Sequence, residues 1–448
     1  MNQDKLIKQN KYSITDGKIL PAFIMFMLPL MATSLMMQSY VIADGLILGN
    51  AISENALGSV NTVGSINDIC TVLQIALAGG CSICVSHLYG AKNYNDLDKL
   101  IIDIYKIIIV ISVAIALIAF AGARWILELI NTPANLMDGA VLYLRIIVIG
   151  LPFTSLYALQ SGVLRGMGDS KKPLGGITVS SCVNIGLDLL FVVVFKFGIA
   201  GAAIATVTAN ILSAVYLHIK LQQKRKTYQL SDEYVAQSKV EECMKLSAPQ
   251  VAQSLATSLG KVMLQNITNL LGASVVIGVT VAFKVDGMLV IPLMCMSQAI
   301  SVFAGQNTGT GNQDRVKESL KLSILLSLAF SALLTFVLWK WGYYLFGFFG
   351  LGAESAAYGY RYITVCLPFY WLFGLQFVFN GYLNGCKHTT IASASSIIAL
   401  AGRVGLAYIS YQTIGADVLP LGESLSWLIG VVIDIVAIYY FTKRYRKS

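Results

Sequence analysis

The stretch Leu20-PAFIMFMLPLMATSLMMQSYVIADGLIL-Gly49 decides what kind of protein this is. Thirty residues pass with one charged side chain, Asp44. A helix needs about 20 apolar residues to cross the hydrocarbon core of a bilayer, so this stretch is long enough to span it. A polar segment, Met1 to Lys18, precedes it, and no small-residue cleavage pattern follows. The stretch is also too long for a signal peptide. It is expected to stay as the first membrane helix.

Outward from there the same character recurs. Spans are expected near 20–49, 57–82, 101–122, 138–162, 174–196 and 199–219, and after a polar gap near 246–270, 276–303, 319–341, 358–383, 390–411 and 419–441. Composition agrees. The 448 residues are 56% hydrophobic and 12% charged, with a mean hydropathy of +0.70. Soluble domains carry about 25% charged residues to face water, so the lipid bilayer is the expected surrounding.

The net charge of +9 does not mark a nucleic-acid partner. Lys and Arg sit in short polar gaps between apolar runs, not on a basic face interleaved with aromatics. With a cytoplasmic N-terminus, the inside segments collect Lys5, Lys8, Lys11, Lys92, Arg165, Lys224, Arg315, Lys387, Arg446, Lys447 and others. The opposite side holds only Arg124, Lys196 and Lys340. Basic loops stay inside, which places both termini in the cytoplasm and requires an even number of spans.

The two halves repeat each other. Gly90-Ala-Lys-Asn93 recurs as Gly309-Thr-Gly-Asn312, and Arg145 followed by Leu151-Pro152-Phe153 as Arg361 followed by Leu367-Pro368-Phe369. Leu159-Gln160 matches Leu375-Gln376, and Pro29 matches Pro249. Chance matching of Gly and Pro does not give three motifs in order at nearly constant offset. Six spans per half is even, so the repeat is parallel. The expected fold is all-α: twelve transmembrane helices in two six-helix lobes related by a parallel pseudo-two-fold axis. Residues 1–219 form the first lobe, 220–245 a cytoplasmic linker and 246–448 the second lobe.

A charge at the bilayer centre costs roughly 2.5–3.5 kcal/mol on insertion scales, so each one needs a reason. Asp44 has Tyr40 one turn earlier on the same helix face, and Asp188 has Asn184 likewise. Thr206 stands in a span of small residues that permits close packing. Tyr40, Asp44, Asn184, Asp188 and Thr206 are therefore expected to form a cation-coupling site. Asp44, Asn184 and Asp188 can take up a proton or hold Na⁺, since oxygen ligands suit a hard cation. The blander reading is hydrogen bonding between neighbouring helices. The second half instead offers Lys261, Lys284, Asp286 and Arg403, with no paired-acid pattern, as candidate cleft or substrate residues. Pro29 frees a carbonyl in the first span and is a candidate hinge.

Other signals are weaker. Cys81-x-x-Cys84 has metal or redox spacing, but no second pair or nearby His completes a site, and buried packing is the ordinary use of a free cysteine. Gly162-Val-Leu-Arg-Gly166 has the form of a helix-packing motif. No phosphate-binding Gly-x-x-x-x-Gly-Lys occurs, and no nucleophile–base or metal constellation points to an enzyme. No cofactor is expected beyond H⁺ or Na⁺ as coupling ion.

Leu164-Arg-Gly-Met-Gly-Asp169, Asn184-x-x-x-Asp188, Gly198-Ile-Ala-Gly-Ala-Ala-Ile-Ala205 and the run from Pro29 to Asp44-Gly-Leu-Ile-Leu-Gly49 together resemble the multidrug and toxic-compound extrusion family. The resemblance extends over essentially the whole chain. It implies a monomeric, multi-pass antiporter of the bacterial cytoplasmic membrane that exports organic, cationic and amphipathic drugs in exchange for H⁺ or Na⁺. It also implies that the cation site lies in the first lobe, at Tyr40, Asp44, Asn184, Asp188 and Thr206. Some members carry an acid in the seventh span where this sequence has Lys261. The alternative is a flippase of a lipid-linked saccharide or peptidoglycan precursor, which would prefer a basic cleft.

Overall fold

Inside a bilayer no water serves the backbone, so a single span must satisfy its own amides, and a helix does so. The computed structural model describes residues 13–228, 230, 236–347 and 350–445, and they are helical almost throughout, with no strand among the described residues. Lys5, Lys8, Lys11, Arg446 and Lys447, used above for orientation, lie outside the described residues, as does part of the 220–245 segment.

By contacts the chain divides into two units. One is Leu28–Ser247; the other is Ala248–Ser448 together with Met1–Met27. Both boundaries fall inside a helix, two residues before Pro29 and two before Pro249. The equivalent prolines of the repeat thus sit where one unit gives way to the other along the chain.

The first unit holds α1 from Leu28 (whole helix Ile19–Ala51), α2 (Glu54–Gly90), α3 (Tyr94–Ala121), the short α4 (Ala123–Leu129), α5 (Ala134–Ile149), α6 (Leu151–Gly166), α7 (Lys171–Asp188) and α8 (Gly198–Arg225). The span expected over 138–162 is two helices, α5 and α6, bent by 46°. The bend follows from Gly150 and Pro152, because proline removes an amide and crowds the preceding turn. Past Asp188 the helix widens into a π-helical segment, Leu189–Val194. Gly162 and Gly166 lay α6 directly on α2: a Cβ at either would stand 2.5 Å from the Ala78 carbonyl oxygen or 2.6 Å from that of Ser82. The motif is used for packing.

The second unit holds most of α9 (Val240–Leu270), then α10 (Ala273–Gly309), α11 (Gln313–Gly347), α12 (Ala353–Cys366), α13 (Tyr370–Gly385), α14 (Thr389–Ile414) and α15 (Val418–Tyr445). The span expected over 358–383 is interrupted by a 3₁₀ turn, Leu367–Phe369, at the Leu-Pro-Phe motif. A bend of 45° divides α10 between Gly287 and Val290. Gly381 and Gly385 seat α13 on the Ser297 and Ser301 carbonyls of α10. The four glycine–carbonyl pairs of the two units are separated by one constant displacement along the chain, so the repeat is carried by packing as well as by sequence.

Eight runs are long and apolar enough to cross a membrane, or ten if each bent pair is one span. The last of these, Thr389–Phe441, contains both α14 and α15, which pack on each other. The remaining helix, α9, falls short because Lys245, Gln250, Gln253, Lys261 and Gln265 interrupt it. Outward apolar side chains such as Ile118 (71% exposed) and Ile409 (82% exposed) reverse the polarity of a soluble protein, as a lipid-facing surface requires. The eight cysteines are free thiols. Cys81 lies against Cys243, and among the described residues no group of three or more His, Cys, Asp or Glu could hold a metal.

Candidate functional site

In the first unit α1, α5, α7 and α8 bring their polar residues to one place. Asn184 and Asp188, one turn apart on α7, are both fully buried. Asn184 Nδ2 donates to Thr206 Oγ1 on α8 (3.3 Å), and that hydroxyl donates to the Ala202 carbonyl (3.0 Å). The Tyr40 phenol on α1 also reaches Thr206. The carboxyl of Asp44 faces that of Asp188. The five residues expected to form the site are brought together.

A sixth member was not foreseen. Tyr143 on α5 is buried, reaches Thr206, and lies near both acids and Tyr40. A tyrosine in an apolar run reads as core, and its partners lie on three other helices at no fixed spacing.

What the cluster lacks is as informative as what it has. Apart from the facing Asp44 carboxyl, neither oxygen of Asp188 has a hydrogen-bond partner, and the Oδ1 of Asn184 has none. Buried acceptors are normally served, and a buried carboxylate without a partner is costly. Three orphan oxygens thus stand beside a second carboxyl, in a lining made of oxygen. Among the described residues no Lys, Arg or His forms an ion pair with either acid. The π-helical segment begins at Leu189, next to Asp188; such wide turns recur at functional positions because they re-aim side chains.

The same unit contains a cavity of about 850 Å³ lined by Leu46, Ile47, Asn50, Ser53, Leu189, Val192, Lys196 and neighbours. Leu46 and Ile47 follow Asp44 on α1, and Leu189 follows Asp188. The cavity is thus lined by the turns that follow the two acids along α1 and the π-helical segment, and by none of the six cluster residues themselves.

In the second unit the four candidate residues separate. Lys261 and Lys284 are exposed and form no ion pair among the described residues. Asp286, at the bend of α10, accepts from the Tyr370 hydroxyl (2.6 Å). Arg403 on α14 pairs through Nη2 with Glu423 on α15, whose Oε2 also accepts from Tyr362 (2.7 Å). Side chains of both Arg403 and Glu423 are about six-sevenths buried, at 14% and 15% exposed, and Asp286 lies within electrostatic range of them. The expectation that this half has no paired acids is thus corrected. Asp286 and Glu423 are neighbours across α10 and α15, which no local spacing reveals. Glu423 escaped notice because it sits five residues into an apolar helix start, where a carboxylate reads as interfacial.

The repeated arginines work structurally and differently. Arg361 clasps Asp417 through two nitrogens (Nε–Oδ1 2.6 Å), whereas Arg145 lies over the Phe120 ring at 5.5 Å.

Comparison with known proteins agrees with this architecture. The MatE family model matches residues 29–190 and 249–409, one copy in each half. The chain is 29% identical over 377 residues to "Probable multidrug resistance protein YpnP" of Bacillus subtilis (strain 168), covering 83% of each chain. It is 24% identical over 410 residues to "Probable multidrug resistance protein YoeA" of the same organism, covering 90% of this chain and 88% of the relative. A solved structure described as the outward-facing conformation of a multidrug resistance MATE family transporter of the MOP superfamily superposes with a TM-score of 0.85. That match covers 95% of this chain and 96% of that one at 18% identity, and it shows the shared fold.

Proposed function

The chain belongs to the MatE family of membrane transporters, and on that premise we propose that it is an antiporter exporting organic, cationic and amphipathic compounds in exchange for H⁺ or Na⁺. The observation that carries this reading is the oxygen cluster of the first lobe. Asn184 and Asp188 offer buried acceptors beside the Asp44 carboxyl with no paired side-chain cation, which supports completion by a mobile positive species. Thr206 organises the cluster, with Tyr40 and Tyr143 beside it. The coupling site is thus proposed within residues 1–219, joined by 220–245 to the lobe 246–448.

The charge distribution supports both termini inside, and the proposed protein is a monomer of the bacterial cytoplasmic membrane. In that orientation the cavity lined by the turns after Asp44 and Asp188 lies toward the outer face, where Lys196 is one of the few basic residues. Ions entering from outside would reach the acids through it. Cation and substrate then favour different arrangements of α1, α7 and α8, and two ligands that favour different states are negatively coupled. Exchange follows. Pro29 leaves the Met25 carbonyl without its helical partner and gives α1 a place to change its bend.

The test is direct. Asp44→Asn and Asp188→Asn should each abolish dye or drug export from cells while surface-resident protein stays at wild-type amount. Wild-type export by both variants would sink the reading.

The flippase reading needs free basic groups for an anionic lipid-linked saccharide. Arg403 is committed to Glu423, which leaves Lys261 and Lys284 to carry it. On the antiporter reading, the double variant K261A/K284A exports a cationic dye at the wild-type rate. Loss of export in it, with K261R/K284R active, would favour the flippase.

A further inference from the structure

Asp434, on α15 of the second unit, is an acid in the middle of a membrane helix that the coupling cluster does not include. It is fully buried. Its Oδ2 accepts from Asn380 Nδ2 on α13 (2.9 Å), while its Oδ1 has no hydrogen-bond partner. The Asn380 nitrogen also donates to the Gln376 carbonyl (3.2 Å), and its amide oxygen accepts from the Ser396 hydroxyl on α14 (3.1 Å). Two acceptors on the nitrogen and a hydroxyl on the oxygen fix which way the amide points. Ser395, also near the acid, turns its hydroxyl to the Gly430 carbonyl (3.2 Å). The acid is thus offered an N–H and not a ring of oxygens, which suits a proton better than a metal cation.

Polar residues continue from this point toward one end of the unit. α13 carries Asn384 one turn beyond Asn380, and His388 follows four residues later, just past the helix end. α14 carries Ser393 one turn from Ser396 on the same face, nearer its Thr389 end. Asn384 Oδ1, Ser393 Oγ and His388 Nε2 are shut off from solvent and have no partner. Buried polar atoms are ordinarily served, and buried water serves them where several lie together. His388 stacks on Phe441 (ring centroids 3.9 Å), about two turns past Asp434 on α15. In the orientation proposed above this is the cytoplasmic end. In the opposite direction the way is closed. Trp427, about two turns before Asp434, is buried and packs on Phe373 (4.6 Å) and Tyr370 (5.5 Å) of α13. Gln376 fills the space against Gly430, where a Cβ would have no room.

We propose that Asp434 is a proton-binding site of the second lobe, reached from the His388 end alone through Asn384, Asn380 and the serines of α14. A site open at one end takes up and returns its proton on the same side. It senses cytoplasmic pH and carries no proton across, so it adds to the first-lobe site without replacing it and does not rest on it.

No fixed charge competes for the acid, and among the described residues no charged side chain acts on it. Of the helices packed on α15, α12 gives Arg361 to Asp417, Tyr362 to Glu423 and Cys366 to the Pro420 carbonyl. Arg403 of α14 is paired with Glu423, about three turns before Asp434. On α13, Tyr370 donates to Asp286 and Tyr382 bonds Cys386. Lys387 and Lys443 are exposed at the His388 end. Burial lowers the pKa of His388, which favours a neutral ring, able to take a proton on one nitrogen and release one from the other.

The test is infrared spectroscopy of purified full-length protein as the buffer pH is stepped, H⁺ being the only ligand varied. The wild-type minus D434N difference should contain one protonated-carboxyl band that appears on acidification and is lost on alkalisation. Asp434→Glu should keep a titrating band at a shifted frequency, which reads the site even if D434N folds poorly. After a rapid drop in pH, N384L/H388F should slow the rise of the band by an order of magnitude or more and leave its final amplitude intact. In proteoliposomes of uniform orientation, a pH step on the His388 side should move the band, and a step on the opposite side should not. A band that is absent, or present and unchanged at every pH, in both wild type and D434E would reduce Asp434 to helix packing and overturn the proposal. Unaltered kinetics in N384L/H388F would overturn it too, as would an equal response from the opposite side.

Discussion

Asp188 is the residue on which the account turns, and its environment predicts a trade of stability for function. Its buried, unserved oxygens should cost stability whenever no ion is bound. At high pH in Na⁺-free buffer, Asp188→Asn is expected to melt above wild type, by an amount on the order of 1–3 kcal/mol for a relieved buried charge. A lower melting temperature under those conditions would contradict the empty-cage reading. Asp169, in the turn before α7, behaves oppositely. Burial works to raise its pKa, but Lys224 and Lys172 overcome this and hold the carboxyl below the usual aspartate range, with Lys172 Nζ at 2.9 Å. A group whose folded pKa is depressed contributes stability above its unfolded pKa, and loses it as pH falls through the folded value. Asp169→Asn should therefore lower the melting temperature at neutral pH, and the gap to wild type should close below about pH 4; an equal gap at both pH values would remove the ionic explanation. Residues were legible in the sequence where helix periodicity joined them, as with Tyr40 and Asp44 or Asn184 and Asp188. Tyr143 and Glu423 were not, because their partners stand on other helices and only the packed fold brings them near.

At the scale of elements, the hydrophobic runs located the spans well and their interiors poorly. Nothing in a window of apolar residues distinguishes a straight helix from α5 and α6 bent by 46°, although Gly150 and Pro152 mark the place. The π-helical widening after Asp188 has no sequence signal at all in Leu189–Val194, since backbone hydrogen-bond register is set by what the turn packs against. The repeat also held a hidden detail. The Leu-Pro-Phe motif opens α6 directly in the first half, but forms the 3₁₀ turn Leu367–Phe369 before α13 in the second. Gly162 and Gly381 let α6 and α13 touch a neighbour's backbone. Gly162→Leu and Gly381→Leu are each expected to destabilise by roughly 1–3 kcal/mol or more from overpacking, read as a lower melting temperature. Wild-type melting in both would mean the helices are not seated on those carbonyls.

Over the whole molecule the two halves are alike in packing and unlike in chemistry. One presents two acids and an amide oxygen with no paired cation; in the other Glu423 pairs with Arg403 and Tyr362, Asp286 with Tyr370, and Asp434 with Asn380. On the reading proposed above, ion coupling is expected at the first lobe. The most direct measurement is export of a cationic dye by proteoliposomes holding wild type or Asp188→Asn, under an imposed pH gradient alone and an imposed Na⁺ gradient alone. The account expects one gradient to drive export by wild type and neither to drive it in the variant. Gradient-driven export by Asp188→Asn at the wild-type rate would contradict it.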